Sequence, residues 1–221
     1  MLAPMAGARD CCLCSQIAGQ PQNDLIARLL PGQPYARRIM LESAGFAAIP
    51  SLGPLARGHS LLCPRQHVPS FAALDSGLEG DYRAIKAALK ARLGAQYRAE
   101  VLVFEHGSDA RGERVLCTVD HAHLHFVPVP EGGIELPRGH GWIEIDDRLA
   151  SLRDLAGGRE YVLYETPAGV RRLLVPGEAP IESQYMRRII GQSLGRAQSW
   201  NWREAPDPAG ADRTWRSFLN P

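Results

Sequence analysis

Three of the chain's seven histidines lie in one short stretch, His121-Ala122-His123-Leu124-His125. Side chains on a strand alternate between its two faces, so this spacing predicts three imidazoles on one face and apolar residues on the other. Solvated strand faces usually carry threonine, lysine or glutamate, which disfavours a coincidental polar surface. A nucleophilic site and a metal site both remain open here, because imidazole is the commonest metal ligand.

The sequence around this stretch predicts a mixed α+β domain over residues 1–130. Apolar residues recur at spacings of three and four from Leu78 to Leu93, which predicts an amphipathic helix. Short apolar and β-branched runs on either side of it predict strands. These are Arg38–Glu42, Gly45–Ile49, His59–Pro64, Val101–Phe104 and His121–Val129.

Residues 131–221 are predicted to form a C-terminal α/β extension packed on or beside this domain. Proline and glycine are dense between Pro128 and Gly141, which is typical of a boundary or an elaborated loop. Two short apolar runs around a turn and a later amphipathic pattern follow. They predict a hairpin of Glu160–Glu165 and Val170–Val175 and a helix from Ile181 to Leu194.

The composition narrows the class of protein. The chain has 221 residues, 45% of them hydrophobic and 22% charged, which is typical of a globular protein. The net charge of +1 and the lack of interleaved aromatic and basic residues disfavour nucleic acid as a partner, but leave a small phosphorylated ligand open. No apolar stretch reaches the roughly 20 residues of a membrane span, and the first ten residues hold no apolar signal segment.

The five cysteines form a poor disulfide framework, because their number is odd and three of them lie at Cys11, Cys12 and Cys14. We therefore expect a reducing, cytoplasmic location. The Cys11–Cys14 pair has three interpretations. A redox motif needs a βαβ context that the sequence lacks, and adjacent Cys11 and Cys12 cannot both face a core. A structural zinc site needs two further ligands, because such zinc is four-coordinate.

Three blocks of the sequence resemble the histidine-triad (HIT) superfamily. Asp120–Pro128 resembles its motif of three histidines separated by apolar residues. Arg57–Val68 resembles its "G-H-x-L-φ-x-P-x-x-H" strand and turn, and Cys11–Gly19 resembles its "C-x-x-C-x-x-I-x-G" opening. The blocks follow the family's order and cover residues 11–130. The resemblance implies a five-stranded antiparallel sheet with two helices, and implies that two copies can pair into a homodimer.

The resemblance also implies catalytic roles. His123 is expected to attack the α-phosphorus of a small nucleotide-phosphate substrate and form a nucleotidyl-histidine, which water or a second acceptor then releases. The backbone carbonyl of His121 is expected to hold the other ring nitrogen of His123. His125 and His59 are expected to donate to the non-bridging phosphate oxygens. Independently of the family, a neutral imidazole is a good nucleophile near pH 7.

Three further positions correspond to the family's substrate contacts. Thr118 stands where many members place a serine that contacts the leaving group. Glu105 and Gly107 stand where purine-binding members often have Asn-x-Gly. An ionised glutamate cannot donate a hydrogen bond, so this departure leaves the base of the substrate open.

A metal site is implied as well. Several bacterial HIT proteins and the related uridylyltransferases complete a cysteine pair with a downstream histidine and the first triad histidine. The matching residues imply a structural zinc ion held by Cys11, Cys14, His67 and His121. Cys12 is an alternative ligand, and other relatives keep a metal-free thiol pair.

The later part of the chain loosely resembles CWF19-like proteins. The similarity rests on Ile181–Gly191, Trp200–Arg203, Phe104–Gly107 and Val127–Pro130. Arg187 or Arg188 either is solvated or contacts a phosphate, since arginine forms bidentate contacts there. This similarity raises a rival function, a non-catalytic nucleotide- or RNA-binding HIT-like module. The complete triad favours an enzyme, because a binding module does not need a nucleophile; hydrolase and transferase both remain open.

Overall fold

The computed structural model describes residues 11–32, 34–107, 121–132, 134–138, 141–177 and 181–220. Within that part, eight strands form one antiparallel sheet in the order β1-β2-β3-β5-β4-β7-β8-β6. The strands are β1 (Leu41–Glu42), β2 (Phe46–Pro50), β3 (Ser60–Pro64), β4 (Glu100–Gly107), β5 (Leu124–Val129), β6 (Trp142–Ile145), β7 (Tyr161–Glu165) and β8 (Arg171–Leu174).

The same part of the chain contains six α-helices. They are α1 (Cys12–Ala18), α2 (Leu25–Leu29), α3 (Glu79–Tyr97), α4 (Leu149–Ala156), α5 (Tyr185–Ser193) and α6 (Pro208–Leu219). The longest, α3, confirms the helix predicted from apolar spacing, and it buries Tyr82, Ile85, Leu89 and Leu93 on one side. Each helix in the described residues is too short or too polar to cross a membrane.

Helices cover both faces of the sheet. On one face, α3, α4 and α6 pack against alternate sheet residues such as Val103 and Phe126. On the other, α5 packs against Leu102 and Phe104, and α1 packs against Ile49. The two core layers separate because successive residues of each strand point to opposite faces. This α+β arrangement confirms the predicted fold class.

The C-terminal extension continues the sheet. Strands β1 to β5 come from residues before 130, as the resemblance implied, and β7 pairs with β4 along Val103–Gly107. The predicted hairpin is present as β7 and β8, and β6 joins its outer edge. A domain boundary at residue 130 stays a prediction. Strands from both sides of that point, β4 and β7, share one ladder.

The strand predicted over His121–Val129 begins later, at Leu124. Before it, the Ala122 amide donates to the carbonyl oxygen of Val68 over 2.7 Å. His121 and His123 therefore lie before the strand, in a segment that is tied to the loop after β3. The alternation of faces that predicted three parallel imidazoles applies only from Leu124 onward.

Gly58, next to His59, is a tightly packed glycine of the β2–β3 connection. Its φ is +83°, and an added Cβ would lie 2.3 Å from the ring of Tyr97. Gly58→Ala should therefore lower the free energy of unfolding by roughly 2–5 kcal/mol, from backbone strain and overpacking together. Urea denaturation measures this change.

The matched control is Gly169→Ala, because Gly169 has a similar φ of +89° and nothing within 4 Å of the added carbon. Gly169→Ala should lower the free energy of unfolding by only about 1–2 kcal/mol, because it strains the backbone without causing a clash. Equal losses in the two variants would contradict the proposed clash with Tyr97.

Candidate active site and metal centre

His123 is oriented by the backbone of the residue two positions before it. Nδ1 of His123 lies 2.7 Å from the carbonyl oxygen of His121, and because a carbonyl only accepts, this nitrogen carries the proton. The lone pair is then on Nε2. Burial lowers the pKa of His123 to about 4, so the ring is neutral at physiological pH. This is the protonation state that a nucleophilic imidazole requires.

A chain of hydrogen bonds fixes the proton of His125. The Leu55 amide donates to Nδ1 of His59 over 2.9 Å, which places the proton of neutral His59 on Nε2. That nitrogen lies 3.0 Å from Nδ1 of His125 and donates to it. The proton of His125 is therefore on Nε2. Burial holds the pKa of both rings well below the usual histidine range, which keeps both neutral, as this chain of bonds requires.

The ring of His125 is also held by packing. Phe104 stacks on it with ring centroids 4.2 Å apart and planes 10° apart. The ring of His123 lies edge-on to that of His125, with centroids 4.9 Å apart. The lone pair of His123 and the N–H of His125 thus belong to neighbouring rings.

The structure corrects the expected role of His59. Its side chain is fully buried, and both of its ring nitrogens are used, one by Leu55 and one by His125. It has no free N–H for a phosphate oxygen. His59 positions His125 instead, and sequence reasoning missed this because the two histidines are 66 residues apart.

A pocket opens beside His123 and His125, with Phe104 and His106 of β4 in its lining. Its walls come from three distant parts of the chain, namely α1 with α2, the segment after β2, and the C-terminal extension. The wall residues are Cys12, Leu13, Gln16, Leu25, Ile26, Pro50–Gly53, Ser183–Arg187 and Trp202, and Leu61 of β3 completes the lining. Apart from Arg187, none of these was a candidate substrate contact from the sequence, since no spacing rule relates them to the triad.

The structure separates the two candidate arginines. Arg187 is buried and lines the pocket. Arg188 is partly exposed and forms an ion pair with Glu182. The solvated interpretation therefore applies to Arg188.

Glu105 and Gly107 do not lie where the resemblance placed them. The carboxylate of Glu105 is buried, accepts from the Phe71 amide over 2.9 Å and from the Tyr161 hydroxyl over 2.5 Å, and lies outside the pocket lining. At Gly107, a Cβ would lie 2.3 Å from the ring of Tyr161. Both expectations are corrected. Side chains alternate along β4, so Glu105 and Gly107 lie on the sheet face opposite that of Phe104 and His106.

His106 is the member of this triplet that lines the pocket. Its Nε2 lies 2.6 Å from the carboxylate of Glu160. Thr118, the other expected substrate contact, lies outside the described residues.

Four predicted metal ligands come together at the start of α1. The ligand atoms of Cys11, Cys14, His67 and His121 all lie within 4.8 Å of one another. Nδ1 of His121 is 3.5 Å from the sulfur of Cys11 and 3.2 Å from that of Cys14, and Nδ1 of His67 is 3.4 Å from the latter. Tetrahedral zinc with ordinary bond lengths separates sulfur and nitrogen by about 3.6 Å. The donor set therefore fits zinc in type and in spacing.

The protonation of His121 fits as well. Its Nε2 lies 2.9 Å from the carbonyl oxygen of Pro64 and must donate to it, which leaves the Nδ1 lone pair directed at the two sulfurs. Metal-bound histidines usually donate their other N–H in this way. Cys12 is outside the cluster, and burial raises the pKa of its thiol to about 11.

Burial raises the pKa of Glu105 to about 7 from a usual value of 4.5. The native state therefore holds a proton that the unfolded chain releases between these values. The free energy of unfolding should fall by about 3 kcal/mol as the pH rises from 4.5 to 7, and this contribution should be flat above that range.

Glu105→Gln, which cannot titrate, isolates this effect. The difference in unfolding free energy between wild type and variant, measured by urea denaturation across pH 4–8, should show the slope. A difference that does not change with pH would contradict the raised pKa.

Residues 35–136 match a protein family described as "Protein similar to CwfJ C-terminal". The match includes β1 to β5 and the triad, but not the later segment of residues 181–203 that also suggested a CWF19-like relative. No curated protein matches the chain.

Several solved structures are similar to the chain. A HIT-like protein from Bartonella henselae is 24% identical, with 50% of this chain and 80% of that chain covered and a TM-score of 0.35. A hypothetical histidine triad nucleotide-binding protein from Sulfolobus tokodaii is 17% identical, with 84% and 92% covered and a TM-score of 0.39. A zinc-bound histidine triad family protein from Mycobacterium smegmatis is 22% identical, with 67% and 94% covered and a TM-score of 0.39.

The family match falls on the segment that carries the triad, the His59 strand and β4. There the structure shows the antiparallel sheet and the bond from His123 to the His121 carbonyl that the motif implied. Over residues 35–136, the chain is similar to the family described as "Protein similar to CwfJ C-terminal".

Proposed function

We propose that this protein is an enzyme that transfers the nucleotidyl group of a small nucleotide phosphate to water or to a second acceptor through His123. One observation carries the proposal. The hydrogen bonds of the site leave a lone pair on Nε2 of His123 and a proton on Nε2 of His125, on adjacent rings at the same pocket. A nucleophile next to a hydrogen-bond donor is the pair that phosphoryl-group transfer needs.

In the first step, Nε2 of His123 attacks the α-phosphorus. The N–P bond forms while the bond from phosphorus to the leaving group breaks, and the leaving group takes that electron pair. The imidazole gains positive charge, which the bond from its Nδ1–H to the His121 carbonyl stabilises. Nε2–H of His125 donates to a non-bridging phosphate oxygen, where charge is redistributed in the transition state.

In the second step, water or an acceptor oxygen attacks the same phosphorus from the opposite side. The N–P bond breaks and its electron pair returns to Nε2 of His123, which restores the starting enzyme. The attacking oxygen loses its proton to the medium or to a group at the pocket. Whether water or another acceptor enters distinguishes a hydrolase from a transferase, and a substrate panel decides between them.

The proposal includes a structural zinc ion held by Cys11, Cys14, His67 and His121. When bound, such an ion supplies a four-coordinate cross-link whose positions are all filled by protein. Its place is informative, because His121 contributes its side chain to this cluster and its carbonyl oxygen to His123. The ion would thus fix the start of α1 and the residue that orients the nucleophile.

The role of His123 is tested by substitution. His123→Ala should lower turnover by at least about 10³-fold, because it removes the reacting atom. His125→Ala removes a donor and should lower it by about 10²-fold. Wild type and variants are assayed on nucleoside phosphoramidates, dinucleoside polyphosphates and nucleotide sugars, with unfolding transitions measured to verify folding.

Rapid denaturation at alkaline pH, during turnover of a substrate labelled at the α-phosphate, should trap label on wild-type protein and none on His123→Ala. Near-normal turnover by the His123→Ala variant on any of these substrates would contradict the mechanism.

The metal proposal predicts about one zinc per chain in protein purified without chelators, as its four ligands require. Cys14→Ser should lose the metal, because the Cys14 sulfur lies near both His67 and His121. Cys12→Ser is the matched control and should keep it, since Cys12 is outside the cluster. Metal analysis measures both. Equal zinc loss in the two variants, or metal-free wild type with all its thiols reactive, would contradict the assignment.

A further inference from the structure

Arg187, in the first turns of α5, is a buried cation in the candidate active site. Its side chain lines the pocket of the triad, and the residue is 4% exposed. Nε donates to the Trp200 carbonyl over 2.9 Å, and Nη2 donates to the Gly53 carbonyl over 2.6 Å. Among the residues that the structure describes, no carboxylate forms an ion pair with it.

This placement is costly for a protein that binds nothing there. Removing a cation from water is strongly unfavourable, and neutral carbonyl oxygens offset only part of that cost. Burial lowers the pKa of Arg187 to about 10, so the guanidinium stays charged at neutral pH. An anion bound in the pocket would supply the missing countercharge.

The position of the charge indicates which anion. Arg187 lines the same pocket as His123 and His125 of the triad. A guanidinium has five N–H donors, and the two carbonyl contacts use two of them. Donors therefore remain for a ligand that also reaches the triad, and phosphate oxygens match the planar fork of arginine.

Gln16 of α1 provides an independent observation. It is 5% exposed, and its amide Nε2 has no hydrogen-bond partner among the described residues. It lines the same pocket as Arg187. A buried amide N–H without an acceptor is rare, and a ligand in this pocket would supply one.

We propose that Arg187 is a substrate-binding residue that holds phosphate oxygens of the nucleotide, and that Gln16 donates to the same ligand. The inference rests on the proposed function for the identity of the anion. It assigns to the C-terminal extension a direct part in substrate recognition, because α5 carries the charge to the triad.

The experiment measures binding of nucleoside 5′-monophosphates (AMP, GMP, CMP and UMP in turn), of the matching nucleosides and of inorganic phosphate to the full chain by calorimetry. Wild type should bind at least one monophosphate at least ~10-fold more tightly than its nucleoside, as expected for a charge-assisted bidentate contact. Arg187→Met should remove most of this difference and leave nucleoside binding unchanged. Arg187→Lys keeps the charge but loses the planar pair of N–H donors. Its preference for monophosphate over nucleoside should lie between those of wild type and Arg187→Met.

The matched control is Arg188→Met, which removes an adjacent, solvated arginine and should behave as wild type. Gln16→Leu should weaken binding of the monophosphate by a smaller factor, as loss of a single hydrogen bond does. A purely structural Arg187 predicts a different result: Arg187→Met would unfold at lower temperature yet keep the preference for monophosphate over nucleoside.

Retention of that preference in folded Arg187→Met overturns the inference. So does a wild type that binds each nucleoside as tightly as its monophosphate, a result that needs no variant to fold. The turnover of His123→Ala tests the proposed function separately. Loss of turnover in His123→Ala with intact phosphate binding in Arg187→Met would reject the role of Arg187 and leave the enzyme proposal standing.

Discussion

The hydrogen bond from Nδ1 of His123 to the carbonyl oxygen of His121 is the contact on which the site depends. It decides which nitrogen of His123 carries the lone pair, and it does so with a backbone atom that cannot titrate. Burial works in the same direction, because it lowers the pKa of the ring and keeps it neutral. The chemistry available to this protein follows from that single orientation.

His121 connects this bond to the rest of the fold. Its Nε2 donates to the Pro64 carbonyl, at the end of β3, and its Nδ1 points to the two thiols at the start of α1. The amide of the next residue, Ala122, is tied to Val68. The segment before β5 is therefore held by β3, by the loop after it and by the cysteine cluster. The late start of β5 is the consequence, and it frees the His121 carbonyl to accept from His123.

The sequence predicted the parts of this structure that depend on local pattern. Apolar spacing predicted α3, and the turn between two apolar runs predicted the β7–β8 hairpin, because both patterns act over a few residues. The four clustered ligands followed from family motifs. Glu105 was misassigned for a physical reason. The family correspondence favoured it, whereas simple alternation from the buried Phe104 selects His106 for the pocket face. The contacts of Gln16, His59 and Arg187 join distant segments of the chain, and local sequence patterns do not predict such contacts.

The extension explains how a distant arginine reaches the triad. β4 would be an edge strand if the sheet ended there, and its unpaired backbone groups would be open to pairing. β7 covers that edge, and α5 packs on the sheet face that carries His125 and Phe104. The segment beyond α5 contacts the β2–β3 connection so closely that a Cβ at Gly53 would lie 2.3 Å from Trp202. Pairing at the sheet edge thus fixes the register of the extension, and packing of its helix places the cation Arg187 in the pocket that His123 lines. The extension therefore continues the sheet with β6 to β8 and lines the pocket with α5 and Trp202.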